Sequence, residues 1–333
     1  MSLRPTIRRR EAIVAAGALA TGTASAQPRT GRIGWPTQPV KLIVGFPPGS
    51  TPDMSARILA DAMGKAWGQA IVVENKPGAS GNIAADLVAK ANDTHTLGVV
   101  INGNLTSAKL LNPKLAYDPA KDFTLLSLLT TAPLVLVAPA SQPSGAAFIA
   151  AAKAGGRQWN YGSVGVGSVG HLGMELLKSR AGGPSGGIEA VHVPYNGNPA
   201  VVTALIAGQI QMALVPPGIA SPQVAAGKLR AIGITGGRSA LAPDIAPLSA
   251  LGIATDELEV WTALVGPASL PVPARERLAF EIPSFVRSDE VRQKLFAAGW
   301  QAQGSSPEAL ERRVAAETKV MRGIIVGQGI RLE

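Results

Sequence analysis

Residues Val40 to Arg57 read VKLIVGFPPGSTPDMSAR: a short apolar strand runs into a Pro-Pro-Gly-Ser turn that opens directly onto a helix. The junction aims free backbone N–H groups at whatever sits above the end of the strand. The first turn of a helix has donors with no internal partner and carries partial positive charge. A small anion, above all a carboxylate, is therefore held there without any Lys or Arg. The same design recurs at Trp159 to Leu177, WNYGSVGVGSVGHLGMELL. Two such junctions in one chain suggest two facing lobes that grip one small ligand.

Around them, apolar runs with strand character alternate with helical patterns: Leu42 to Gly45, a helix from Pro52 to Trp67, Ile71 to Glu74, a helix from Asn82 to Ala91, and Thr96 to Val100. This is the βαβ rhythm of a parallel sheet covered by helices. In the first helix Thr51 is the expected cap, Pro52 suits the first helical position and Asp53 complements the dipole. Met54, Ile58, Ala62 and Met63 form the expected apolar face. After the Asp122 to Leu129 segment a new lobe starts with a strand from Leu134 to Pro139. It continues through strands at Trp159 to Gly162, Val191 to Val193, Met212 to Val215 and Ala231 to Thr235. Glu259 to Pro267 reads as a strand crossing back.

The expected fold is thus α/β and two-lobed, each lobe a mostly parallel sheet flanked by helices, joined by two hinge crossings. One lobe takes residues 36–133 plus 237–333, the other 134–236. With 333 residues and 46% hydrophobic content, the chain is long enough for both.

Residues 1–26 carry a basic start (Arg4, Arg8, Arg9, Arg10), an apolar run from Ala12 to Ala20, and Ala24-Ser25-Ala26 before Gln27. That order predicts an export signal removed near Ala26, and hence a periplasmic protein. Arg9-Arg10 leaves the twin-arginine and general export routes both open. The segment holds +3 of the formal charge of +9, and the remaining Lys and Arg are scattered without a basic stripe, so nucleic acid is not an expected partner. Cysteine is absent, which removes disulfides and thiolate zinc sites. His95 and His192 lack acidic neighbours at ligand spacing, so neither metal nor cofactor is expected.

The ordered motifs WPTQPVKLIVGFPPGS, with Asp53 and Arg57 following, VVENKPGASGNIAADLVAKA, AYDPAKDF, YGSVGVGSVGH, HVPYNGNPA, AGKLRAIGIT and SSPEAL resemble the receptors of tripartite tricarboxylate transporters, often called Bug receptors. The resemblance covers nearly the whole chain after residue 26. It implies a fold of the periplasmic binding protein type, a type II-like one, closing on a carboxylated solute held by backbone amides and ordered waters of two loops. In this chain those loops run from Phe46 through Thr51 and from Ser163 through His171. It also implies membrane subunits of a tripartite transporter as partners; a sensor kinase that reads the closed form is the alternative. A monomer suits a receptor that opens and shuts.

The candidate ligand contacts in the first loop are Phe46, Pro48, Gly49, Ser50 and Thr51, with Asp53 just inside the helix. In the second loop they are Ser163, Val166, Gly167, Ser168, Val169, Gly170 and His171. Asn102, Tyr195 and Val215 complete the set. Gly49, Ser50, Thr51, Gly167, Ser168 and Gly170 are the expected backbone donors. Asp53 also reads as a plain helix-start residue, His171 as a support for its own loop, Tyr195 as a turn residue, and Trp261 as a buried hinge aromatic.

Departures from the family pattern sharpen the ligand. Ser50 and Thr51 stand where glycines are usual, and Pro52 removes a donor. Val166 and Val169 replace common Asn and Thr, and Val215 replaces a frequent Asp. Such a cleft disfavours a strongly polar solute, which loses hydration without gaining partners, and points to a monocarboxylate or an aromatic acid.

Two enzyme readings compete with a receptor. Gly165-Val166-Gly167-Ser168-Val169-Gly170 matches the dinucleotide fingerprint, yet no acidic residue ends the following strand, so an NAD-dependent oxidoreductase is a minor alternative. Ser168 and His171 are neighbours, yet no nucleophile elbow surrounds the serine. A non-enzymatic receptor is the expectation.

Overall fold

The computed structural model describes residues 34–182, 187–255 and 258–331. The expected export signal, residues 1–26, lies outside them. The chain begins with β1 (Val40–Val44), α1 (Thr51–Trp67), β2 (Ile71–Asn75), α2 (Asn82–Ala89), β3 (Thr96–Ile101), the short α3 (Asn102–Leu105) and α4 (Ala108–Leu111), and β4 (Phe123–Pro133). It then forms β5 (Val135–Pro139), α5 (Gly145–Gly155), β6 (Asn160–Ser163), α6 (Val169–Arg180), β7 (Val191–Pro194), α7 (Asn198–Ile206), β8 (Met212–Val215), α8 (Pro217–Ala225) and β9 (Leu229–Ile234). The last part is β10 (Glu259–Pro267), α9 (Val272–Arg287), α10 (Asp289–Ala297), β11 (Gln301–Ala302) and α11 (Pro307–Gly327).

Two sheets result, ordered β11-β4-β10-β3-β1-β2 and β7-β6-β8-β5-β9. Each has a parallel part, β2-β1-β3 in the first and β7-β6-β8 in the second. The rest is antiparallel, so the sheets are mixed rather than mostly parallel. The cause is the crossing itself: β5 follows β4 without a helix between them, and β10 re-enters the first sheet between β3 and β4 against their direction. β3, TLGVVI, is buried at every residue, as a strand covered on both faces requires.

The two crossings are tied side by side. Thr235 donates its N–H to the Leu134 carbonyl (2.8 Å) and accepts the Leu134 N–H at its hydroxyl (2.8 Å). The same hydroxyl donates to the Leu258 carbonyl (2.8 Å). The chain rejoins the first sheet at Glu259 rather than directly after Gly237. In between, Pro247 bridges Ile234, and an added Cβ on Gly233 would meet Leu248, so this segment lies against the second sheet.

α1 presents Ala56, Leu59, Ala60 and Met63 to the core, while Met54, Ile58 and Ala62 stay partly exposed. The helix is thus turned from the expected face, with only Met63 common to both. Its start fixes the rotation: Pro52 and Asp53 are buried at the strand end and Arg57 is exposed.

Candidate functional site

The β1–α1 and β6–α6 junctions face each other across a cavity of about 30 Å³. Phe46, Ser50, Thr51 and Pro52 line it from one side, and Val164, Ser168, Val169 and Gly170 from the other. Asn198, the first residue of α7, joins them. Ile101, Leu134, Leu214, Pro216 and Val260 complete the wall; Leu134 and Val260 lie at or beside the strand crossings, Leu214 is on β8 and Pro216 caps α8. A larger groove of about 1110 Å³ lies on the outside of the first sheet between α9 and α11 and contains neither junction. Helix ends and buried polar groups, not volume, therefore single out the smaller cavity.

Each junction is stiffened by its own hydrogen bonds, and that decides which donors are left. The Asp53 carboxylate accepts from the Gly49 N–H (2.9 Å), the Asn75 amide (2.8 Å) and the Arg57 guanidinium (2.9 Å). Burial alone would raise its pKa; the bonds from Arg57, Asn75 and Gly49 outweigh burial and hold it below the usual carboxylate range. Asp53 is consumed inside its own loop. Ser50 donates its N–H to Pro47 (3.1 Å), Ser168 to Gly165 (3.2 Å), and Gly167 to Nδ1 of His171 (3.3 Å).

Four of the six expected backbone donors, those of Gly49, Ser50, Gly167 and Ser168, are thus spent on the turns that shape the loops. Thr51 and Gly170 remain, and Val169 joins them: all three stand in first turns, where no helix carbonyl reaches the N–H.

Ser50, not Thr51, occupies the cap position of α1, with extended φ and ψ of −73° and 162°, because Thr51 already belongs to the helix. Its side chain makes no capping bond. The Ser50 hydroxyl is 1% exposed, lines the cavity and has no partner among the described residues. Ser168 behaves oppositely: its hydroxyl caps α6, accepting the His171 N–H (3.3 Å), and donates to Gly165 (2.7 Å).

The other candidates separate. Pro48 and Gly49 are exposed on the outer rim of the first loop. Val166 and Tyr195 line a neighbouring cavity of about 420 Å³ beyond the second loop. Val215 packs with Val135 and Val137 in the core of the second lobe; strand alternation gives the cleft to Leu214 instead. Asn102 turns its amide to the Glu317 carboxylate (2.8 Å) and the Glu259 carbonyl (3.1 Å), away from the cleft. Trp261 is fully buried and donates to Glu317 (2.5 Å).

Beneath the second loop lies a cluster of rings. His171 and His192 pack tilted against each other with centroids 4.2 Å apart, and His192 stacks on Tyr161 at 5.0 Å. Ser163 bonds Nε2 of His192 (2.7 Å), which removes that serine from the cleft. Tyr161 donates to Glu175, which pairs with Lys178 at 2.8 Å. Burial, then the Lys178 charge, lowers His171 to about 4; burial, then His171 itself, lowers His192 to about 3. Both rings are therefore neutral at pH 7, and His171 supports its loop as an acceptor.

The lobes touch across the cleft. Ser107, just before α4, donates to the Gly167 carbonyl (2.5 Å), and Asn198 donates to the Thr51 hydroxyl (3.1 Å). A Cβ on Gly103 would lie 3.1 Å from that same Gly167 oxygen, so the approach is close. Gly167 itself has φ of +82°, which a side chain resists.

Among the cavity-lining residues, the candidate contacts left out Pro52 and Val164, which stand inside the two expected junctions, and Asn198, Ile101, Leu134, Leu214, Pro216 and Val260. Asn198 had a signal, since it stands in the HVPYNGNPA motif at a helix start; the remaining apolar residues had none beyond lying at strand ends.

The chain matches the tripartite tricarboxylate transporter family receptor over residues 55–330. It is 32% identical to a UPF0065 protein from the tcbD-tcbE intergenic region of Pseudomonas sp., over 95% of this chain and 94% of that one. Among solved structures it is similar to Rpa4515 of R. palustris with adipate (TM-score 0.84, 31% identity, 89% and 99% of the two chains). It is also similar to MatC of Rhodopseudomonas palustris with bound malate (TM-score 0.80, 30% identity, 87% and 100%). The chain belongs to the tripartite tricarboxylate transporter receptor family, whose members are periplasmic solute-binding proteins with this two-lobed α/β fold.

Proposed function

We propose that the protein captures a small organic acid between its lobes in the periplasm and delivers it to the membrane subunits of a tripartite transporter. Residues 1–26 serve as the export signal. The observation that carries the reading is the buried Ser50 hydroxyl, which has no partner among the described residues and is set between the first turns of α1 and α6. A carboxylate there takes hydrogen bonds from Ser50, from the N–H groups of Thr51, Val169 and Gly170, and from the Asn198 amide. It needs no Lys or Arg, because charge-assisted bonds to a preformed set of dipoles replace a counter-ion. Adipate and malate in two proteins of similar structure support a carboxylate as the recognised group.

Thermal-shift screening of organic acids tests it: a ligand at 100 times its dissociation constant adds about 2.7 kcal/mol. An acid that stabilises while its methyl ester does not is the expected result. Equal stabilisation by acid and ester refutes the grip. Delivery is tested separately, by co-purification of the acid-loaded receptor with the transporter's membrane subunits.

A further inference from the structure

We infer that the solute is one-headed: a monocarboxylate whose body is apolar, not a di- or tricarboxylate. The inference rests on the carboxylate reading and concerns the other end of the same cavity. The polar side chains of the wall, Ser50, Thr51, Ser168 and Asn198, belong to the two junctions and the start of α7. The hinge side is Ile101, Leu134, Leu214 and Val260, and among the described residues no Lys, Arg, His, Asp or Glu lines the cavity.

Backbone groups do not make up the difference. The Ile101 N–H goes to the Asn104 side chain (3.2 Å) and the Leu134 N–H to the Thr235 hydroxyl (2.8 Å). Leu214 and Val260 lie in ladder register with Leu136 and Ala132. A second carboxylate reaching this floor would shed its water and meet methyl groups. At about 30 Å³ the cavity in this structure holds only a small group, so the solute enters as the lobes part, and its hydrocarbon body then meets this apolar wall.

The test pairs acids of equal carbon skeleton on the purified receptor: hexanoate with adipate, butyrate with succinate, benzoate with terephthalate, plus methyl hexanoate, each followed by thermal shift and calorimetric titration. The expected result is that at least one monoacid binds and that its diacid partner binds at least tenfold more weakly, because the buried second charge finds no partner. A diacid that binds as well as its monoacid overturns the one-headed solute and leaves the carboxylate grip standing. A methyl ester that binds as well as hexanoate overturns the grip itself. A panel in which only diacids bind overturns the inference in the same way as the first outcome.

Discussion

Ser50 carries a cost that the free protein has no structural reason to keep. A hydroxyl buried without a partner lowers stability by about 1–3 kcal/mol relative to a satisfied one, and natural interiors hold few of them. Its neighbour Ser168 occupies the same capping position on α6 and is fully bonded, so the orphan is not a property of the motif. We expect Ser50→Ala to leave the melting midpoint of the free receptor unchanged or slightly raised, since no bond is lost. Affinity for the best acid falls about tenfold, the worth of one hydrogen bond to a charged group. Calorimetric titration beside a melt of the unliganded protein reads both. A drop in stability with no loss of affinity would make Ser50 structural.

At the level of elements, β6, α6 and β7 meet around two imidazoles that the fold keeps neutral, and this makes the second loop acid-sensitive. Unfolded histidine takes its proton near pH 6.5, whereas folded His171 and His192 wait until about 4 and about 3. Between those limits the unfolded chain holds more protons than the folded one, so stability falls as the pH drops from about 6.5 towards about 4. Below about 3 the penalty is complete and constant. Replacing both rings, His171→Gln with His192→Gln, flattens that part of the stability curve, measured by urea unfolding from pH 7 to pH 4. An unchanged slope would mean that other groups carry it.

The same elements show what was legible in advance. The strands and the first two helices are legible to within a few residues, because Gly, Pro and β-branched runs punctuate the chain locally; β4 runs four residues past the expected Leu129, and the helices from α7 onward carry no bounds in the sequence reading. The core face of α1 was not, since Ala56, Leu59 and Ala60 are chosen by how the helix sits on β1 and β3. Donor assignments failed for a related reason: that His171 reaches back to Gly167, or Asp53 to Gly49, is a fact of folded loops. Apolar floor residues such as Leu134 and Val260 come together only through the crossings, at long separation in sequence.

For the molecule as a whole, the proposed capture requires that the lobes open and shut, and the contact between them is narrow enough to test with one side chain. Gly103 in the first lobe faces the Gly167 carbonyl of the second, with only 3.1 Å between that oxygen and an added Cβ, and 3.6 Å to the Cα of Ser168. Ser107 and Asn198 supply the bonds that span the same gap. Gly103→Val thus places two methyl groups where the second loop must come to rest. Gly103 does not hold the positive φ that only glycine tolerates, so the backbone itself does not resist the side chain.

The expected outcome is a larger radius of gyration by X-ray scattering and a loss of affinity equal to the lost closed fraction. If one molecule in about 100 still closes, apparent affinity drops about 100-fold, because only the closed form presents Thr51 and Gly170 to one carboxylate. A saturating acid then restores part of the compaction. Scattering and affinity both indistinguishable from the parent would mean that α3 and the second loop do not approach on closure.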